Sequence, residues 1–271
     1  MHPLSLDFIS AVEASPPELI EIAAANGLEF VSLPVKPALG RPDWGLIGDT
    51  PMRRETKARS CDLGVQVDVF ESFYLTADTV IENLRPPFES GAWLGARRVA
   101  MVIQDDEPAR AEAHIHEFCD LAREHGLTVL LEYTPRMSQR NLREAHGLLR
   151  RVSRPELRLE CDALHTFRSG GSVEEIASVS PTYIGRAQLS DAPLVEPPEG
   201  GFHEAAKERL IPGDGELPLA AFVRALPPDL VIGLEVPQQR LTLLGVGAAE
   251  RVRRIASGAR RVLEEAAREV C

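Results

Sequence analysis

Four polar side chains each close a short apolar run of the sequence, and together they could bind a divalent cation. Glu132 closes LTVLLE, Gln188 closes IGRAQ and Glu235 closes LVIGLE. The fourth, Asp162, closes LRLECD and is followed three residues later by His165. Short apolar runs of this kind are typical of buried strands. Carboxylates and an imidazole at strand ends are metal ligands or acid/base groups, so these residues suggest one site assembled from separate strands.

The whole chain alternates strand and helix signals. We predict eight strands: LSLDFI, EFVSLPV, VQVDVF, RRVAMVI, LTVLLEY, LRLECD, YIGRAQL and VIGLEV. Helical patterns lie between them, the clearest being EPARAEAHIHEFCDLAREHG with its terminal glycine. Strands that alternate with helices require a parallel sheet, and eight of them can close into a barrel. The sequence therefore predicts an α/β fold, a single (β/α)8 TIM barrel domain over residues 1–271.

The segments that follow the strands are predicted to be mostly irregular. Asp162 and His165 should lie in a polar turn, ESFYL should be a loop after the third strand, and a long loop should run from 190 to 215. The pair Pro86–Pro87 should break the helix between the third and fourth strands.

A barrel gives the four strand ends a common location. In this fold the C-terminal ends of all strands meet at one mouth, where active sites lie. Period-two alternation in TVLLEY turns Leu130 and Glu132 toward the axis, and the same phase in VIGLEV turns Glu235 inward over Gly233. Together with Asp162, this places three carboxylates in a small space. Their repulsion would raise at least one pKa unless a cation is bound.

The proposed ligand set consists of oxygen donors: Glu132, Asp162, Gln188 and Glu235. Such a set favours a hard ion such as Mg²⁺ or Mn²⁺ over a thiolate-type zinc site. His165 is either a fifth ligand or a substrate contact. Any one of these residues alone would be read as an ordinary polar residue at the start of a loop. That explanation is poor for four such residues that all end a strand and all point to the same side of the sheet.

A buried ion pair is predicted one layer below this site. Glu160 and Arg186 each lie two residues before a proposed ligand, on adjacent strands, so both should point into the barrel. Either charge alone would cost several kcal/mol in that position. We therefore expect the two side chains to pair and to support the ligands above them.

Composition limits the remaining function classes. A net charge of −11 argues against a nucleic-acid surface, and 44% hydrophobic residues allow a sizeable core. No apolar run is long enough to span a bilayer, and MHPLSLDF lacks the features of a signal peptide, so a cytoplasmic location is expected. The scattered cysteines, Cys61, Cys119, Cys161 and Cys271, are expected to be free thiols, with Cys119 and Cys161 buried.

The order of the motifs resembles the sugar phosphate isomerase/epimerase family of xylose-isomerase-like TIM barrels. A Glu closes strand five, D-x-x-H closes strand six, AQLSD follows strand seven, and IPGDGEL precedes GLEVP at strand eight. The similarity covers nearly the whole chain. In one place the sequence departs from many epimerases, which have His where this chain has Gln188. Dehydratases of the same superfamily, including 3-dehydroshikimate dehydratases, can have Gln there.

The resemblance implies a metal-dependent enzyme with one divalent ion, Mn²⁺, Mg²⁺ or Co²⁺, bound by Glu132, Asp162, Gln188 and Glu235. It implies that Glu132 and Glu235 are also the catalytic acid/base pair, and that His165 contacts the substrate or supports the metal. The activity would be isomerisation or epimerisation of a small carbonyl sugar or polyol derivative. Dehydration, of the 3-dehydroshikimate or inosose type, is the alternative, because both reactions begin with loss of a proton next to a carbonyl.

The rim of the barrel supplies further candidate substrate contacts. Trp44 in RPDWGLIGD, and Phe73 and Tyr74 in ESFYL, are aromatic residues that either bind the substrate or only cover the rim. Arg209, just before IPGDG, is a candidate for binding a carboxylate or phosphate. The partner is expected to be a small molecule, with no nucleic acid and no membrane, and a homo-oligomer is possible. Endonucleases of the superfamily need a histidine-rich site, which seven histidines do not favour. A non-catalytic binding barrel stays open as a further reading.

Overall fold

Eight parallel strands close into a barrel in the order of the sequence. The computed structural model describes residues 2–37, 43–198 and 200–268. The strands are β1 Leu4–Leu6, β2 Phe30–Pro34, β3 Gln66–Leu75, β4 Arg98–Ile103, β5 Thr128–Glu132, β6 Leu157–Asp162, β7 Ile184–Leu189 and β8 Ile232–Leu234. The predicted (β/α)8 TIM barrel is confirmed.

Helices alternate with the strands along the chain. They are α1 Pro16–Ala25, α2 Pro51–Leu63, α3 Arg85–Leu94, α4 Pro108–Glu124, α5 Leu142–Val152, α6 Ala163–Arg168, α7 Val173–Ser178, α8 Phe202–Lys207, α9 Leu219–Ala225, α10 Gln239–Leu243 and α11 Ala248–Arg268. Several begin where their capping residues require. Ser15 and Glu18 form a capping box at α1, and Asn141 accepts a hydrogen bond from the Glu144 N–H at α5.

Strand alternation separates two apolar regions, as the sequence predicts. Val129, Leu131 and Tyr133 are buried in the main core between strands and helices. Leu130 instead packs inside the barrel in a small cluster with Val69 and Ala100. The rest of the barrel interior is unusually polar, because most inward positions above this cluster carry charged or amide side chains.

The segment ESFYL is not a loop but the second half of β3. The register between β3 and β4 shifts between Phe70 and Phe73, so the strand continues past an irregularity that interrupts simple alternation. Phe73 is 4% exposed and lies 5.1 Å from Phe88 and 5.4 Å from Phe118 between ring centroids. Phe73 is therefore a core residue, and only Tyr74 of this pair reaches the cavity described below.

Three other segments also differ from the prediction. The pair Pro86–Pro87 lies in the first turn of α3, where missing N–H groups cost nothing, and so it starts a helix instead of breaking one. The polar turn after Asp162 is the helix α6, and the long loop from 190 to 215 contains α8. Short helices of this kind lack the length over which hydrophobic periodicity can be recognised.

The cysteines agree with the prediction where they can be compared. Cys119 and Cys161 are buried free thiols and Cys61 is exposed, whereas Cys271 lies outside the described residues. Within the described parts of the chain, no helix combines the length and apolar character needed to cross a bilayer.

Candidate functional site

A cavity of about 390 Å³ opens at the C-terminal ends of the strands. Its lining includes five of the residues predicted from the sequence: Glu132, His165, Gln188, Arg209 and Glu235. Tyr74 also lines it, at 39% exposure. Trp44 is not among the residues that line this cavity. It packs against the core and lines a small adjoining pocket, which shares Phe8 and Pro37 with the cavity.

Glu132, Asp162 and His165 form a compact group of possible metal ligands, each offering one ligand atom within 4.8 Å of the others. His165 Nε2 lies 3.7 Å from Glu132 Oε1. Local structure explains this arrangement, because Asp162 both ends β6 and caps α6, with its Oδ1 accepting a hydrogen bond of 2.9 Å from the His165 N–H. The D-x-x-H spacing is therefore a helix cap that brings the carboxylate at the strand end and the imidazole to one place.

Glu235 is linked to this group through Arg209. Arg209 lies between the two carboxyls, with Nη1 2.6 Å from Asp162 Oδ2 and Nη2 2.9 Å from Glu235 Oε2. Its Nε donates to the Ala205 carbonyl. Arg209 is buried, so its charge offsets the carboxylates of the site as well as facing the cavity.

Gln188 on β7 lies between two neighbouring strands. It is paired with Asp162 on β6 and with Gly233 on β8. Its Nε2 donates to Asp7 Oδ2 over 3.2 Å. Its Oε1 is buried and has no hydrogen-bond partner among the described residues. An unpaired buried carbonyl oxygen next to carboxylates is suited to accept a cation.

The predicted buried ion pair is present, since Arg186 Nη1 lies 2.5 Å from Glu160 Oε1 and both side chains are almost inaccessible to solvent. Arg186 also binds two carboxylates that the prediction missed, Asp7 and Asp68, the latter at 3.1 Å. Gly233 makes room for this cluster, because a Cβ there would overlap Asp7 Oδ2. The Arg186 cluster, meaning Arg186 with Asp7, Asp68 and Glu160, lies below the proposed ligands, and its members do not line the cavity formed by the described residues.

One of the missed carboxylates left a signal in the sequence and the other did not. Asp7 closes the run LSLD in the way that Asp162 closes LRLECD. Asp68 lies at an irregularity in the pairing of β2 with β3, directly after the pair Val31 and Val67. The period-two alternation of side chains is interrupted there, so it could not predict that Asp68 points into the barrel.

Glu71 is a further carboxyl in the cavity that the sequence prediction did not single out. It is 5% exposed and lines the cavity beside Tyr74. Burial, followed by the charges of Asp7 and Glu160, raises its pKa well above the ordinary value. The charge of Arg186 opposes that shift. Burial therefore favours the protonated form of Glu71.

Burial also determines the protonation of the candidate ligands. It raises the pKa values of Glu132 and Glu235 well above their ordinary range, and nearby carboxylates add to the effect. Burial would likewise raise the pKa of Asp162, but Arg209 and His165 outweigh it and hold that pKa below its usual range. Burial lowers the pKa of His165 to about 4, against the attraction of Asp162, so the imidazole is neutral.

The sequence matches the family model described as xylose isomerase-like TIM barrel over residues 20–269. The chain belongs to this family. No curated protein sequence matches it closely.

Solved structures of xylose isomerase-like proteins resemble the chain over nearly its full length. An IOLI protein with a binding zinc atom is 18% identical, with a TM-score of 0.79, over 97% of this chain and 98% of its own. The probable 3-DHS dehydratase AsbF from Bacillus anthracis is 18% identical, with a TM-score of 0.74, over 93% and 98%. D-allulose 3-epimerase from Methylomonas sp. is 14% identical, with a TM-score of 0.71, over 97% and 98%. At this identity the likeness shows the fold.

Proposed function

We propose that the protein is a divalent-metal-dependent isomerase or epimerase of a small carbonyl sugar or polyol derivative. The observation that carries this proposal is the group formed by Glu132, Asp162 and His165, of which Glu132 and His165 line the cavity at the C-terminal ends of the strands. Membership of a family whose structural neighbours include an epimerase supports it.

The residues present suit a bound metal ion. Glu132, Asp162, Gln188 and Glu235 would hold it through oxygen atoms, and the unpaired Oε1 of Gln188 gives an acceptor with no other partner among the described residues. Mg²⁺, Mn²⁺ and Co²⁺ are the ions proposed, since carboxylate and amide oxygens favour hard ions. When bound, the ion would act as a Lewis acid that polarises the substrate carbonyl.

The protein's own groups would move the proton. Glu132 and Glu235 both line the cavity, and burial raises the pKa of each toward the range useful for an acid/base group. One would remove a proton from the carbon next to the carbonyl and the other would return a proton. Neutral His165 would hydrogen-bond a substrate hydroxyl, and Tyr74 and Arg209 would contact the substrate at the cavity wall.

A dehydratase is the second candidate, and Gln188 is the residue that favours it. The first step, loss of a proton beside a carbonyl, is the same in both reactions. The β-hydroxyl would then take up a proton and leave as water, instead of a proton returning to carbon. The structural likeness to the probable 3-DHS dehydratase is consistent with this alternative, but it does not distinguish a dehydratase from an epimerase.

Proton exchange followed by NMR in D₂O tests both candidates. The protein, loaded with diamagnetic Mg²⁺, is incubated with keto-sugars, an inosose and 3-dehydroshikimate. Deuterium next to the carbonyl, with formation of an epimer or isomer, would support the proposed reaction. A new vinylic signal would move the assignment to the dehydratase. Absence of exchange with every compound, in protein shown to contain metal, would contradict activity on these substrates.

Metal binding is expected to become tighter as the pH rises. Glu132 and Glu235 carry raised pKa values, so each keeps its proton to a higher pH than an ordinary glutamate, and a cation must displace that proton. Each proton released makes the affinity rise by about tenfold per pH unit. Calorimetry of Mn²⁺ binding in buffers with different ionisation enthalpies will count the protons released. An affinity for Mn²⁺ that does not rise with pH, together with no proton release, would contradict the assignment of these two ligands.

A further inference from the structure

Asp7 is a fully buried carboxylate that the proposed proton transfer does not use. It lies directly after β1, and its two oxygens have different partners. Oδ1 accepts hydrogen bonds from Arg186 and, over 3.2 Å, from Ser5 Oγ. Oδ2 accepts from Gln188 Nε2 over 3.2 Å. Asp7 therefore connects the Arg186 cluster to the strand-seven residue of the site.

The chemistry of these groups fixes which way the Gln188 amide faces. An ionised carboxylate can only accept hydrogen bonds, and the Arg186 guanidinium can only donate them. Because Asp7 is paired with Arg186, only the NH₂ end of the Gln188 amide can face it favourably. The Gln188 oxygen must then point the other way, and that oxygen is the buried atom left without a partner among the residues described.

We infer that Asp7 is a positioning residue, which turns the Gln188 amide so that Oε1 faces the proposed ligands. The inference rests on the proposed function, because it assigns Oε1 a cation to bind. Arg186 holds Asp7 in place by an ion pair. Gly233, which has no Cβ, leaves the space that the Asp7 side chain occupies. Groups that orient ligands from outside the coordination shell commonly change metal affinity about ten- to hundred-fold when they are replaced.

The substitution Asp7→Asn is expected to reverse the Gln188 amide. The oxygen of the introduced asparagine must face the Arg186 guanidinium, which needs an acceptor, so the NH₂ of that asparagine faces Gln188. Gln188 then turns its own oxygen toward the introduced NH₂ and presents its NH₂ to the site. Mn²⁺ binding, measured by electron paramagnetic resonance on metal-free protein, should weaken by about ten- to hundred-fold.

The exchanged pair Asp7→Asn with Gln188→Glu should restore binding. The carboxylate introduced at position 188 can accept from the asparagine NH₂ with one oxygen and offer the other to the ion, and the total charge of the pair is unchanged. Asp68→Asn is the matched control, because it removes a carboxylate charge from the same Arg186 cluster but does not touch Gln188. Its Mn²⁺ affinity should stay close to that of the wild type. Melting of each metal-free variant will show that it is folded.

Three results of the Mn²⁺ binding measurements would overturn the inference. They are wild-type Mn²⁺ affinity in Asp7→Asn, failure of the exchanged pair to restore binding, and an equal loss in Asp68→Asn. A metal-independent measurement is the exchange of the Gln188 side-chain NH₂ protons with water in metal-free protein. These protons should exchange slowly in the wild type and faster in Asp7→Asn, and equal rates would refute the inference even if the wild type binds no ion. Normal Mn²⁺ binding without catalysis would count against the proposed reaction alone.

Discussion

Replacement of Arg186 by methionine is expected to lower the free energy of unfolding by about 3–5 kcal/mol, the cost of removing one partner from a buried ion pair. Methionine fills much of the space but carries no charge. Three buried carboxylates, Asp7, Asp68 and Glu160, would then lose the guanidinium that contacts them all. Urea unfolding followed by circular dichroism will measure the difference.

The loss of stability in Arg186→Met should depend on pH, and the direction of that dependence follows from the pKa of Glu160. Burial raises the pKa of Glu160 to about 7 even with Arg186 beside it. Without Arg186 the pKa in the folded state rises further above its value in the unfolded chain. A group whose pKa is raised by folding stabilises the folded state at low pH and loses that contribution as the pH rises. The variant should therefore be more strongly destabilised at about pH 8 than at about pH 5.

The control for this variant is Arg123→Met on α4. Arg123 is 63% exposed and pairs with Asp120 within one helix. Exposed ion pairs of this kind contribute about 0–1 kcal/mol, so the free energy of unfolding of Arg123→Met should differ little from that of the wild type. The small difference should not grow with pH as it does for Arg186→Met. A loss for Arg186→Met as small as that of Arg123→Met would show that the Arg186 cluster does not need its central charge.

The substitution Glu132→Gln is expected to reduce the rate of proton exchange by about 10²- to 10⁴-fold, the usual contribution of a positioned acid/base group. Glutamine keeps the size of the side chain and one oxygen, but it cannot take up a proton. Glu132 Oε1 lies 3.7 Å from His165 Nε2 and its carboxyl faces the cavity. The deuterium incorporation assay of the proposed function provides the measurement, once a substrate has been found.

Saturating metal separates the two roles proposed for Glu132. If Glu132 only binds the ion, excess Mg²⁺ should restore most of the exchange rate, whereas a loss that persists at saturation indicates proton transfer. Glu264→Gln on α11 is the control, since its side chain is 58% exposed and far from the ligands in sequence. Exchange at the wild-type rate in Glu132→Gln would eliminate this residue as the acid/base group.

The sequence alone was sufficient to predict the fold, because its signals are local and repeated. Each strand is a short apolar run followed by a polar residue, and alternation in the run around Leu130 and Glu132 identified the face that points inward. The same reasoning predicted the contact between Glu160 and Arg186, since two residues that share a layer on adjacent strands must meet. Regular strands carry this information without any knowledge of the loops.

Other features of the site depend on tertiary structure. Arg209 meets Asp162 from 47 residues away, through a segment that forms α8, and no local pattern predicts where such a segment folds back. Asp68 and Tyr74 lie on either side of irregular pairing in β3, where the period of two fails. The role proposed for Asp7 depends on Arg186 and Gln188, which both reach it from β7. The sequence therefore determined which strand ends carry the proposed ligands, and packing between distant segments decided which charges lie against them.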